Sequence, residues 1–423
     1  MSERIVLIFA YDFPPENTIG AARPYRFYKY LSRMGYRCFV ITAADQTTGQ
    51  NPDIKYVPDP FTQRRGEGIG WQLERAIRKF LSPGAIGLQW SLLACRVARA
   101  LLRSHPNSEI TIFSTFPPLG AHLAAFLLAR ATKSKWIADF RDPLHNNPAV
   151  SVTRFQQKVN GWLQRLFLER AAVVVANTDT MTETWKGSYP EVRDRIHLIW
   201  NGFDPEDRID ACPLPVRDFK LISHVGELYG TRNVAPILES ISRLIDAGRL
   251  KAGSIRIRLV GPMESSCLPN AAFVRQASQQ GWLEIIPEQV PPAEARRIAQ
   301  TSDALLLVQP HSTVQVPGKL FEYLRLGRPI LAYLLPGTPS ERILKNSGVR
   351  YSCVYTGSST EDMDTAMEHF FRGKMDTTAP NLWFEQNFNA KSQSEALHGL
   401  IRSIHSTPGE MHERCVHSNP TKE

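Results

Sequence analysis

Short apolar runs recur along the whole chain, each followed by a stretch with helical periodicity. Residues 5–10 (Ile-Val-Leu-Ile-Phe-Ala), 38–42, 110–113, 136–138 and 173–176 form a first series. Residues 221–225, 255–260, 283–286, 304–308, 330–334 and 349–354 form a second. Runs without polar alternation read as strands buried on both faces, the pattern of a parallel sheet covered by helices. At 423 residues the chain is about twice a usual domain length. The two series therefore predict an α/β protein of two doubly wound, Rossmann-like domains facing each other across a cleft.

Boundaries follow from composition. Residues 1–202 form the first domain, and Pro205, Pro213 and Pro215 mark a linker over 203–215. Residues 216–380 form the second domain, and 381–405 a helix expected to pack back towards the first. The polar stretch 406–423, with Pro408, Gly409 and Pro420, reads as a disordered tail. Apolar residues make up 43%, which excludes a disordered or disulfide-scaffold class. Lys and Arg number 50 against 41 Asp and Glu, an excess that favours phosphates, nucleic acid or an anionic membrane. No basic-aromatic nucleic-acid module is present, so no nucleic-acid partner is expected. The six cysteines are scattered with no CxxC pair, as in a reduced cytoplasmic protein. The opening Met1-Ser2-Glu3-Arg4 runs straight into a strand, so no signal peptide is expected. The most apolar helix, Leu92 to Leu102, is interrupted by Arg96 and Arg99 and is too short to span a bilayer.

Ligands of doubly wound sheets bind beyond the carboxyl ends of strands, so loops there carry the candidate chemistry. The stretch Pro317-Gly318-Lys319 to Glu322, closed by Gly327-Arg328-Pro329, places Gly318 and Lys319 at a helix N-terminus. Free N–H groups, the helix dipole and a lysine make an anion site, and Glu322 lies one turn on to accept from a ribose diol. An amphipathic helix with a surface ion pair is the alternative. Val225-Gly226 to Arg232-Asn233 is a glycine-bearing loop whose Arg232 suits a diphosphate, or is a plain turn with a solvated arginine. Asp12 to Gly20, with Arg23 beyond it, is long for a strand–helix loop, and such loops usually have a function. Asp139-Phe140-Arg141-Asp142-Pro143 puts two carboxylates around an arginine at a strand end, for acid–base work or as a closed ion pair. Asn201-Gly202-Phe203-Asp204 reads as a hinge turn. The histidines show no metal spacing, and Asp362-Met363-Asp364 sits on a surface helix, so neither a metal nor another cofactor is expected.

Taken in order, these motifs resemble the family-four type of glycosyltransferases with the GT-B fold. The resemblance implies a nucleotide-sugar donor, an acceptor that is a saccharide or lipid-linked, and retention of anomeric configuration. It implies that Glu322 binds ribose, that Arg232 and Lys319 neutralise the leaving diphosphate, and that Gly226 and Gly318 shape the donor site. The loop at Gly20 and Arg23 approaches the diphosphate from the first domain, with Asp139 beside it. Asp142 falls nearest the transferred sugar, with His122 and His145 as substitutes. Val314 and Glu227 depart from the family pattern, where a glutamate and a basic residue are usual. The open alternatives are a sugar-nucleotide epimerase of the same fold and a catalytically silent nucleotide-sugar-binding assembly protein.

Residues 61–105 carry Arg64, Arg65, Arg75, Arg78, Lys79, Arg96, Arg99 and Arg103 against Glu67 and Glu74. Trp71, Ile77, Phe80 and Leu81 follow one helical face there. This basic amphipathic stretch is expected either to dock on an anionic membrane surface or to cover the sheet.

Overall fold

The computed structural model describes residues 3–16, 19–43, 51–63, 66, 68–82, 84–148, 150–209 and 212–406. Its residues fall into two compact units. One comprises residues 1–147, 152–204 and 389–423, the other 148–151 and 205–388. The tail beyond Ser406 lies outside the described residues.

The first unit is built on a parallel sheet of β1 (Arg4–Phe9), β2 (Arg37–Thr42), β3 (Ile54–Tyr56), β4 (Glu109–Phe116), β5 (Lys135–Phe140), β6 (Val173–Ala176) and β7 (Ile196–Leu198). Their order is β3-β2-β1-β4-β5-β6-β7. Ile5 to Phe9 are buried without alternation, as a sheet covered on both faces demands. The edge strands β3 and β7 have three residues each, too short for the apolar pattern to announce them. The second unit holds β8 (Lys220–Val225), β9 (Ile255–Val260), β10 (Leu283–Ile286), β11 (Ala304–Gln309), β12 (Ile330–Leu334) and β13 (Tyr351–Tyr355). Its order is β10-β9-β8-β11-β12-β13, again all parallel. Strand order reverses between β1 and β4 in one sheet and between β8 and β11 in the other. Ligand crevices of such sheets open at that reversal.

The end of the chain is divided between the units. The helix Leu382–Phe388 stays with the second, while Ala390–His405 belongs to the first. Leu397 and Ile401 enter the first unit's core beside Val6 and Ile8. Ala390 N–H donates to Phe203 O at 2.9 Å, and Tyr36 Oη lies 2.9 Å from His398 Nδ1.

Candidate active site

The second unit brings its cations to the reversal point. The helix Gly318–Leu326 starts directly after Pro317, which makes no side-chain cap, and ends at the left-handed Gly327. Leu320 N–H donates to Pro317 O at 3.0 Å, while no side chain caps the helix start, where first-turn N–H groups lack intrahelical partners. Lys319 Nζ turns onto β8 and lies 3.2 Å from His224 Nε2. His224 is wholly buried, and its Nδ1 lies 2.9 Å from the Leu306 carbonyl of β11. A carbonyl only accepts, so Nδ1 carries the proton and Nε2 presents a lone pair to the lysine. Burial and the lysine's charge hold His224 well below the ordinary histidine range, so it is neutral. Burial and the neighbouring Arg232 push Lys319 down to about 7, with Glu322 and Glu227 pulling the other way.

Gly226, the first residue after β8, has φ +122°, and a Cβ there would meet Lys319 Nζ at 2.7 Å. Its glycine is needed both for the backbone turn and for the lysine's place. Tyr323, one turn along the helix from Lys319, has its hydroxyl 3.0 Å from Val225 N, which fixes the strand end. Arg232 is half-buried, with its guanidinium 4.6 Å from the Tyr229 ring centre. Glu322 and Glu227 are exposed. Gly226, Gly318, Lys319, Glu322 and Arg232 therefore occupy one end of one sheet.

The first unit closes its reversal point differently. Arg23 is 2% exposed and Asp139 0%. Arg23 Nη2 lies 2.7 Å from Asp139 Oδ1, and Nε 3.0 Å from Oδ2. Thr115 Oγ1 donates to the same carboxylate at 2.8 Å. Arg23 also reaches the carbonyls of Trp200 at 2.6 Å and Ile199 at 2.9 Å. The expectation that Arg23 and Asp139 bind substrate is corrected here: both are sealed in the interior and bonded to each other and to backbone. On the same helix, Arg26 bonds Gly202 O, while Lys29 and Tyr30 each hold Asp204 at 2.7 Å. The Asn-Gly-Phe-Asp turn is thus bolted to the helix Ile19–Arg33.

Beside this pair lie Gly20, Asp12, Arg141 and Asp142, all partly buried. A Cβ on Gly20 would sit 2.3 Å from Asp12 Oδ2 and 3.1 Å from Arg141 Nη1. Burial raises Asp12 above the usual carboxylate range, while Arg141 opposes the shift. Arg141 donates to Pro117 O, and its buried Nε has no hydrogen-bond partner. Asp142 is half-buried, and its charge acts on Arg141. Asp12 and Arg141 are the residues that sequence reasoning passed over as site members. Both stood in motifs already singled out, but only proximity to Gly20 sets them together.

His122 and His145 are both engaged by neighbours within the first unit. His122 is wholly buried among Phe116, Trp136, Phe140 and Phe167, with Nδ1 2.8 Å from Ser114 Oγ. Burial pushes it down to about 3. His145 Nδ1 donates to Gln157 O at 3.0 Å and anchors a helix start. Asp364 pairs with Arg243 at 2.7 Å, so the Asp-Met-Asp triplet is structural. No group of three metal-ligating side chains occurs among the described residues.

The basic segment is turned otherwise than its sequence suggests. Trp71 stacks on Phe61 at 5.4 Å and Ile77 packs on the core. Arg78 is held by Glu74, which is buried. The outward face of the helix Ile69–Phe80 instead carries Ile69, 86% exposed, Leu73 and Phe80, 61% exposed. Arg64, Arg65 and Glu67 lie outside the described residues. No described helix is long and apolar enough to cross a membrane.

Residues 23–207 match the model of Glycosyltransferase Family 4. No curated protein matches the chain in sequence. Among solved structures it is similar to a sucrose-phosphate synthase from Thermosynechococcus elongatus, with TM-score 0.58, 11% identity and coverage of 99% of this chain and 100% of that one. An E. coli structure described as trehalose-6-phosphate bound with UDP-2-fluoro glucose gives TM-score 0.60, 11% identity and coverage of 96% and 100%. A UDP-GlcNAc 2-epimerase from Methanocaldococcus jannaschii gives TM-score 0.52, 12% identity and coverage of 94% and 99%. At such identities the likeness establishes the GT-B fold and no more.

Proposed function

We propose that the chain is a retaining glycosyltransferase that moves a sugar from a nucleotide-sugar donor to a saccharide or lipid-linked acceptor, in polysaccharide or glycolipid assembly. The observation that carries this is the convergence of Lys319, Arg232 and an uncapped helix start on the reversal point of the second sheet. As the glycosidic bond to the donor breaks, negative charge grows on the diphosphate and positive charge on the sugar. Lys319, Arg232 and the N–H groups of Gly318 and Lys319 meet the first of these charges where it grows. Glu322 accepts from the ribose hydroxyls, and Gly226 leaves room for the backbone to approach. Gly20, Asp12, Arg141 and Asp142 are the first unit's candidates for the transferred sugar, with Asp142 to support its positive charge. A metal ion has no part in this reading, so activity is expected to survive a chelator.

A panel of nucleotide sugars scored by thermal shift tests the donor site, because a ligand of the folded state alone raises the melting temperature. A shift with a nucleotide sugar, followed by transfer to an acceptor, supports the proposal. Conversion of the donor alone into a stereoisomer would favour the epimerase reading, which the shared fold of a known epimerase keeps in view.

We further propose a peripheral site at the cytoplasmic face of a membrane. Ile69, Leu73 and Phe80 stand exposed with Arg75 and Lys79 beside them. Gln156 donates to Lys79 O at 2.8 Å, joining this helix to Arg154–Arg170, whose exposed Phe155 and Trp162 flank Arg154 and Lys158. Apolar side chains ringed by cations suit an anionic lipid surface, with each well-placed cation contributing about 1 kcal/mol. Flotation with anionic liposomes is expected to fall with salt and with the double substitution Phe80→Ser and Trp162→Ser. Unchanged flotation in that variant, or none at low salt, contradicts the surface.

A further inference from the structure

His224 is a buried imidazole with a defined tautomer and no direct path to a ligand, yet its lone pair meets the one lysine at the reversal point. An apolar residue would fill that place in a β-strand core at less cost, since buried polar groups stabilise only when paired. Resting on the donor-site reading above, we propose that His224 is a positioning residue: its Nε2 seats Lys319 Nζ against Gly226, and an arriving diphosphate takes up that cation together with a proton from solvent.

Three contacts fix the seat. Leu306 O orients the ring from β11, Gly226 admits Nζ only because it lacks a Cβ, and Tyr323 Oη pins the strand end at Val225. The charged groups acting on Lys319 are Arg232 and Glu227 from the loop after β8 and Glu322 from its own helix. His224 stays neutral throughout, so it supplies no charge to cancel. The ammonium at rest is therefore poorly solvated and partly discharged near neutral pH, as its depressed pKa of about 7 agrees. A dianionic group at the helix start reverses that balance, and binding draws a proton onto Nζ.

Calorimetry with UDP, GDP and ADP, run at pH 8 in two buffers of different ionisation enthalpy, counts the protons taken up. For the nucleotide that binds, uptake of a large fraction of one proton is expected, and Lys319→Met abolishes it. His224→Leu lowers affinity about tenfold at pH 6.5, the loss of one buried hydrogen bond, and His224→Gln, which keeps an acceptor, restores most of it. Binding without proton uptake, or uptake retained in Lys319→Met, overturns the proposal while leaving the donor site standing. A folded His224→Leu with wild-type affinity and uptake overturns it equally. If His224→Leu does not fold, the wild type and Lys319→Met decide alone. Absence of binding by all three nucleotides overturns the donor reading and this inference together.

Discussion

The two sheets share one strand order at their centres and treat the same topological point in opposite ways. In the first unit Arg23 and Asp139 are buried and bonded to each other, and Trp200, Ile199 and Thr115 complete the network. In the second, Lys319 rests on a neutral histidine and Arg232 on an aromatic ring. A charge paired in the interior belongs to the scaffold, because its partner satisfies it there. A charge held against a neutral group at the mouth of a sheet keeps most of its attraction for an incoming anion. The fold alone does not distinguish the two; the partners do.

The sharpest way to break this comparison is stability. Arg23→Leu or Asp139→Leu leaves a buried charge without its mate and is expected to lose about 3–5 kcal/mol, read as a drop in the denaturation midpoint. Lys319→Met is expected to do the reverse at pH 7. Its folded pKa lies below its unfolded value of 10.5, so the unfolded state binds more protons between about 7 and 10.5. Stability attributable to this site therefore rises with pH through that window, and removing the lysine raises stability at or below pH 7. A Lys319→Met protein as unstable as Arg23→Leu would erase the distinction between the units.

Turnover sharpens the comparison next. Lys319→Ala or Arg232→Ala is expected to cut transfer about 10²–10³-fold and donor affinity much less, since the diphosphate gains charge in the transition state. Asp142→Asn is expected to slow transfer by about 10²-fold with nucleotide binding intact, checked by calorimetry beside the rate. The smallest effect is that of Glu322→Gln, a loss of about tenfold in donor affinity from one charge-assisted contact, with the melting curve unchanged. Donor affinity equal to wild type would remove Glu322 from the site.

Much of this was legible because it is local. Unbroken apolar runs gave eleven of the strands, and Pro317, Gly318 and Gly327 bounded the helix Gly318–Leu326. Strands β3 and β7 were not legible, since three residues at a sheet edge carry no period. Pairing over long separations was also hidden. Arg23 meets Asp139 across 116 residues and Trp200 across 177, and Lys319 meets His224 across 95. The spacing of Asp139, Arg141 and Asp142 fits both a catalytic cluster and a closed ion pair. Only the burial of Asp139 against Arg23 separates the two. The same holds for Trp71 and Ile77, which helical spacing set on one face with Phe80 and packing turned inward.

The most direct test of the central claim is a crystal structure with UDP, GDP or ADP bound. The account predicts the diphosphate at the start of the helix Gly318–Leu326, with its oxygens within hydrogen-bond reach of Lys319 Nζ and the Gly318 and Lys319 N–H groups. A diphosphate held instead at Asp12, Gly20 and Arg141 of the first unit, away from Lys319, would contradict it.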